Sequence, residues 1–284
     1  MNDQKNERKP DWLKIKLPQS ANYSKVKKIV QLNQLHTICT SGNCPNIGEC
    51  WDAGTATFMI LGEICTRSCK FCSVITGKPL PVDNEEPKRI AHSVQLMNLK
   101  HCVITSVDRD DLPDGGAEIW ANTILEIKKI NPETTIEVLI PDFNGNFSLV
   151  KKVLDAKPTI ISHNLETVRR LTPDIRSKAK YDRSIEVIKY ISENGGKAKS
   201  GIMLGLGETE EEVIETMKDL INAGCQIMTI GQYLRPKKEN FPVQRYVTPE
   251  EFKKYEELGI EMGFRFIESK PLVRSSFHAE KHIH

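Results

Sequence analysis

From Ala56 onward, short runs of β-branched and apolar residues alternate with longer stretches in which apolar residues recur at helical spacing. The runs TFMIL (57–61), CVITS (102–106), TIEVLI (135–140), TIISHN (159–164), AKSGIML (198–204) and QIMTIGQY (226–233) have the length and composition of strands. Between them, Val213, Ile214, Met217, Leu220 and Ile221 mark one face of a helix over 209–223. Thr209 and Glu212 form a capping box at its start, and Gly224 closes it. Ile185, Ile188 and Ile191 mark a second helix over 182–193, ended by Asn194-Gly195-Gly196. Thr248, Pro249 and Glu251 open a third, with Phe252 and Tyr255 facing inward.

Strands alternating with helices predict right-handed βαβ units and a parallel sheet. Six such units are too few for an eight-fold barrel, which leaves an open partial barrel or a doubly wound sheet. In both, the chemistry belongs at the carboxyl ends of the strands. The first fifty residues read as an extension: WLKIKLP, a basic stretch from Lys25 to Lys28, and a Gly/Asn/Pro-rich segment over 41–48, with little that predicts a long regular element. The polar tail VRSSFHAEKHIH after Pro271 does not read as part of a sheet. There is no internal repeat, and the ETEEE run over 208–212 is a solvated helix start favoured by the helix dipole.

Composition narrows the partners. Among 284 residues, 40 Lys and Arg against 38 Asp and Glu leave a formal charge of +2, so no global field draws nucleic acid. Hydrophobic residues at 39% and charged residues at 27% are those of a folded soluble chain. No apolar run approaches the roughly 18 to 20 residues that span a bilayer. Neither nucleic acid nor membrane is an expected partner.

The cysteines change the picture most, because six of eight fall between Cys39 and Cys72. The chain opens MNDQKNERKPDW, with no apolar segment of signal-peptide type, so the expected setting is a reducing cytoplasm in which clustered cysteines hold metal. Cys65, Cys69 and Cys72 in CTRSCKFC follow the first strand at C-x3-C-x2-C spacing. Three thiolates there would bind three irons of a cubane and leave the fourth iron open to a ligand. Zinc is the competing reading, although zinc sites usually pair C-x2-C knuckles. Cys102 and Cys225, at the starts of predicted strands, read as small buried hydrophobes, and His36, His101 and His163 as satisfied structural histidines.

The C-x3-C-x2-C spacing with Phe71 before its last cysteine resembles the signature of radical S-adenosylmethionine enzymes. The resemblance implies that the amine and carboxylate of S-adenosylmethionine chelate the open iron. One electron from the cluster then cleaves the sulfonium to a 5'-deoxyadenosyl radical. The implied fold is a partial (β/α)6, TIM-like barrel. A preceding triplet, Cys39, Cys44 and Cys50 in CTSGNCPNIGEC, is similar to that of the lipoyl synthase family, as are KPDWLKIKLP near the start and RSSFHA near the end.

That family resemblance implies an auxiliary 4Fe-4S cluster held by Cys39, Cys44, Cys50 and Ser276 and consumed as the sulfur source. Two sulfurs would enter carbons 6 and 8 of an octanoyl chain on a lysine of a lipoyl carrier domain. The implied partners are octanoylated 2-oxoacid dehydrogenase E2 subunits and the glycine cleavage H protein, an electron donor such as flavodoxin or ferredoxin, and an iron–sulfur carrier for cluster repair. An alkoxide is a hard ligand in a sulfur-rich cluster, so Ser276 is expected to mark the iron that is lost. Arg274 is expected to pair with an acidic group or a cluster sulfide, and His278 stands in the same motif. Phe277 replaces the tyrosine usual in that motif and has no phenol hydroxyl.

S-adenosylmethionine contacts are expected at Gly115 and Gly116 after the second strand, Asn164 and Glu166 after the fourth, and Gly205, near Glu208, after the fifth. Lys25, Lys27 and Lys28 are read first as a solvated face and second as an attraction for an acidic carrier. The expected division is an extension over 1–54, the barrel over 55–270, and a tail over 271–284 that supplies the serine ligand. The alternatives are another two-cluster radical enzyme, for methylthiolation or peptide modification, and a zinc-stabilised binding module without catalysis.

Overall fold

The computed structural model describes residues 8–14, 21–33, 35–42, 44–52, 55–277 and 279–283. Its ten strands are, in chain order, β1 (His36–Thr37), β2 (Thr57–Ile60), β3 (Ile64–Cys65), β4 (Ile75–Thr76), β5 (His101–Ser106), β6 (Thr135–Leu139), β7 (Ile160–Ser162), β8 (Ala198–Leu204), β9 (Ile227–Gln232) and β10 (Phe266–Ser269). Eight of them form one sheet in the order β1-β2-β5-β6-β7-β8-β9-β10. From β2 to β10 every pairing is parallel, and β1 joins β2 antiparallel. Helices lie between successive parallel strands, as parallel pairing requires. The arrangement is an α/β partial barrel whose edge strands β1 and β10 do not pair with each other.

The six expected strands are β2 and β5 to β9. They form because each presents an almost unbroken run of buried residues, Thr57–Ile60 and Ile227–Gln232 completely so, in keeping with a sheet covered on both faces. The three expected helices are Tyr181–Glu193, Glu210–Asn222 and Pro249–Met262, the last two opened by complete capping boxes at Thr209 and Thr248.

Two elements depart from expectation. A seventh parallel strand, β10, extends the six-unit barrel; FIES is short and carries Glu268, so its pattern is weak until it pairs with β9. The extension also holds a 12-residue helix, Ala21–Leu32. Val26 and Val30 of this helix are buried, while Lys25, Lys27 and Lys28 form its exposed face. No helix among the described residues is long and apolar enough to cross a membrane.

Candidate active site

The cysteine loop leaves the carboxyl end of β2 and is closed at its base by the small parallel pair β3–β4, which sets Ile64 opposite Ile75 and Cys65 opposite Thr76. Gly77 N donates to the Cys65 carbonyl at 3.0 Å, and Cys72 N to the Cys69 carbonyl at 3.1 Å. The Arg67 and Asp108 backbone N–H groups point at Cys65 Sγ from 3.4 and 3.3 Å, the arrangement that favours sulfur as thiolate. Burial opposes it, together with the Asp108 carboxylate, and pushes the Cys65 thiol up to about 11 in the metal-free chain. Burial and the neighbouring Cys69 and Cys65 hold Cys72 at about 12. Ligation by metal therefore has to displace protons.

Arg67, inside the CTRSC segment, fixes this loop to the barrel. Its guanidinium forks onto Asp110 at 2.9 and 2.8 Å and reaches Asp142 at 2.8 Å and Asp108 at 3.3 Å. The Arg67 hydrogen bonds keep the Asp110 carboxyl well below its ordinary range. Nothing in the motif spacing indicates this anchor, because the aspartates belong to the loops after β5 and β6.

The first triplet hangs from edge strand β1. Thr37 caps the short helix Ile38–Ser41, which carries Cys39; Cys44 N donates to the Cys39 carbonyl at 3.0 Å; and Cys50 lies on the helix Ile47–Asp52. Burial raises the Cys39 thiol to about 11, with Cys44 adding to the effect, and burial with Cys44 and Cys39 raises Cys50. The triplets are joined directly, Ser73 Oγ donating to the Ser41 carbonyl at 2.6 Å.

A cavity of about 490 Å³ at the carboxyl ends of the strands is lined by Cys65, Cys69, Phe71 and Cys72 of the second triplet, by Cys39 and Cys44 of the first, and by Asn164, Glu166, Arg274 and Ser276. Cys50 stands just behind, within electrostatic reach of Cys39 and Cys44. The volume suits a nucleoside-sized ligand. Glu166 holds a left-handed backbone, φ 67°, a conformation that costs energy in a non-glycine residue and here sets its half-buried carboxyl in the cavity wall. Burial raises that carboxyl's pKa against Arg176, Asn164 and Arg274. Asn164 gives Nδ2 to Ser275 Oγ at 2.8 Å, and its buried Oδ1 has no hydrogen-bond partner among the described residues. Arg274 is desolvated between Cys44 and Glu166, which places its charge between the two halves of the site.

Three expected contacts lie elsewhere. Gly115, Gly116 and Gly205 are not among the cavity-lining residues. Gly116 has φ 84° and opens the helix Ala117–Ile130, where a Cβ would stand 2.4 Å from Leu61; at Gly205, φ 96°, a Cβ would stand 2.2 Å from Gln232. Their glycine character answers to close packing. Cys102 and Cys225 are buried, and His101 and His163 are buried and hydrogen-bonded through Thr135, Ile140 and Ser184. His36 lies 3.7 Å from Glu63, and His278 lies outside the described residues.

The C-terminal tail is positioned by groups that no motif announces. Lys199 of β8 and Glu137 of β6 are wholly buried and paired at 2.7 Å. Lys199 Nζ also donates to the Ser275 carbonyl at 2.6 Å. Asn46, between Cys44 and Cys50, holds the Leu272 carbonyl at 2.7 Å. None of the eight cysteines is in a disulfide, so both triplets remain available as ligands.

Comparison with known proteins agrees with this geometry. Residues 59–220 match the radical SAM superfamily, and residues 1–44 match the N-terminal domain of lipoyl synthase of that family. A lipoyl synthase of Parabacteroides distasonis is 63% identical over 276 residues, covering 97% of this chain and 98% of that one. The chain belongs to the lipoyl synthase family of radical S-adenosylmethionine enzymes. A lipoyl synthase of Bacteroides fragilis is 61% identical over 283 residues, covering 100% of this chain and 98% of that one. A solved methylornithine synthase shares the fold, with TM-score 0.57 at 14% identity over 86% of this chain and 68% of its own. A maturase of FeFe-hydrogenase aligns with TM-score 0.56 at 14% identity over 92% of this chain and 71% of its own. Lipoyl synthases insert sulfur, use S-adenosylmethionine and 4Fe-4S clusters, and act on octanoylated lipoyl carrier proteins; membership makes this chain such an enzyme.

Proposed function

We propose that Cys65, Cys69 and Cys72 hold the cluster that binds S-adenosylmethionine, and that Cys39, Cys44, Cys50 and Ser276 hold a second cluster that is the sulfur substrate. The observation that carries this reading is that members of both triplets and Ser276 line one cavity. With both triplets on the wall of one cavity, a substrate carbon would reach either cluster without leaving the site. When bound, the first cluster and S-adenosylmethionine supply a 5'-deoxyadenosyl radical, needed because aliphatic C–H bonds offer a general base no acidity.

The chain's own residues orient the reactants. Phe71 lines the cavity together with Cys69 and Cys72. Glu166 and the unpaired Asn164 Oδ1 offer acceptors to the amino-acid or ribose portion of S-adenosylmethionine. Arg274 offers the charge between the two clusters. Gly115, Gly116 and Gly205 act one layer behind, by setting the turns that carry the cavity wall.

The assigned division is the extension over 1–54 with the first triplet, the barrel over 55–270, and the tail over 271–284. Octanoylated E2 subunits and the H protein are the proposed carriers, with sulfur entering at carbons 6 and 8. A flavodoxin or ferredoxin is the proposed donor, an iron–sulfur carrier the repair partner, and the cytoplasm the compartment. A zinc module or a methylthiolating enzyme does not match identities of 61% to 63% over nearly the whole chain.

The deciding experiment incubates the loaded enzyme with an octanoylated carrier, S-adenosylmethionine and reductant, followed by mass spectrometry of the carrier. Gain of two sulfurs is expected, with loss of two hydrogens once the dithiol product is oxidised to the disulfide. An unchanged octanoyl group, despite cleavage of S-adenosylmethionine, would defeat the assignment of the second cluster as substrate.

A further inference from the structure

We infer that Lys199 and Glu137 are positioning residues: together they form an internal clasp that keeps the C-terminal tail in the barrel whether or not a cluster is bound, so that Ser276 can leave its iron and return. The inference rests on Ser276 being the fourth auxiliary ligand.

The three N–H donors of Lys199 are all used. They go to Glu137, at 2.7 and 2.9 Å, to the Ser275 carbonyl at 2.6 Å, and to His282 Nδ1 at 3.1 Å. Glu137 Oε1 also accepts from Ser162 Oγ at 3.0 Å, so the carboxylate is held in turn from β7. Both charged side chains are completely buried. A buried ion pair of this kind is not a net source of stability compared with an apolar pair of similar size, so its value lies in what it holds. Here it holds the residue immediately before Ser276. Ser275 is pinned at both ends, its carbonyl by Lys199 and its hydroxyl by Asn164. His282, six residues beyond Ser276, reaches the same ammonium, so one charge fixes the tail on both sides of Ser276.

None of these contacts involves a metal ligand. The tail is therefore docked by the barrel itself, and Ser276 is left to pivot next to a fixed neighbour. An enzyme that gives up its auxiliary cluster as substrate has to survive the loss of that ligand bond, and the clasp supplies a second hold.

The test is hydrogen exchange at residues 273–277 in full-length metal-free protein, in the loaded enzyme, and in both forms of the double variant Lys199→Met with Glu137→Leu. The double replacement keeps the volume and removes both charges, which spares the fold. A Lys254→Met variant, which loses only the exposed pair with Glu210, is the control. In the parent and the control, the tail amides are expected to be protected in both forms. In the metal-free double variant they are expected to exchange about tenfold faster or more. The loaded double variant should still cleave S-adenosylmethionine at the parent's rate, while a chelator strips about four of its eight irons faster than from the parent.

Tail protection that appears in the parent only after loading would overturn the clasp, because the cluster would then order the tail. Unchanged exchange in the double variant would overturn it as well, leaving the sulfur-substrate reading intact if the parent still converts the carrier. A parent with a protected tail but no second cluster would instead remove that reading, and with it the purpose assigned to the clasp.

Discussion

Ser275 and Ser276 are adjacent in sequence and opposite in task, one gripped by the barrel and the other facing the cavity. With Ser276 as the proposed fourth ligand, its replacement by cysteine puts a soft donor in place of a hard one. Ser276→Cys is expected to hold its iron longer against a chelator and to slow carrier conversion, read by mass spectrometry; sulfur insertion as fast as the parent's would show that ligand softness is irrelevant.

Two histidines set the response to acid. Burial, with Lys199 near His101 and Arg176 near His163, depresses each to about 4 from the ordinary 6.5. Below pH 6.5 the unfolded chain binds protons that the folded chain refuses, so the stability they contribute is complete above 6.5 and is lost as pH falls toward 4. Each gives a slope of up to about 1.4 kcal/mol per pH unit. Urea unfolding at pH 7, 6 and 5 should show that decline, and a flat profile across the range would mean that both rings accept protons in place.

At this scale the sequence exposes the proposed ligands and hides the anchors. Cys65, Cys69 and Cys72, the proposed ligands, announce themselves because they stand at short fixed spacing on one loop. Lys199 and Glu137 are 62 residues apart, and each reads alone as an interruption of an apolar strand. Only the folded register makes them a pair.

Among the elements, the cysteine loop shows how irregular backbone is made rigid. It has one short strand pair at its base and a single arginine at its centre. Arg67→Met leaves Asp108 without its ion-pair partner and Asp110 and Asp142 with only the more exposed Lys178 and Arg183, and is expected to destabilise the fold by about 3 kcal/mol, measured by denaturant unfolding of the metal-free chain. The weaker variant Asp110→Asn should cost less, since Asp142 and Asp108 still face the guanidinium. Equal stability of parent and Arg67→Met would show that the strand pair alone suffices.

Six strands and three helices were legible because burial on both sheet faces and capping chemistry leave local marks. β10 was not, because four residues with a glutamate carry no mark without a partner strand. The helix Ala21–Leu32 was obscured by its lysines, which outnumber the two valines it buries and which form a solvated face.

At the scale of the molecule, both extensions converge on one end of the barrel, and the fit there is tight. A Cβ at Gly231 of β9 would stand 2.1 Å from the Val273 carbonyl, so that strand and tail cannot keep their distance once a side chain is added. Gly231→Ala is expected to displace the tail and abolish carrier conversion, while anaerobically loaded protein keeps its barrel cluster. Full conversion by this variant would show that the tail tolerates displacement.

The bond from Asn46 to Leu272 spans 226 residues. On the ribosome, both cysteine triplets emerge well before Ser276 is translated. Iron–sulfur delivery to the barrel loop can begin on a nascent chain, but the second receptacle, as proposed, gains its serine wall only after the barrel strands have been translated. The order of synthesis thus separates in time two loading events that the finished enzyme keeps side by side.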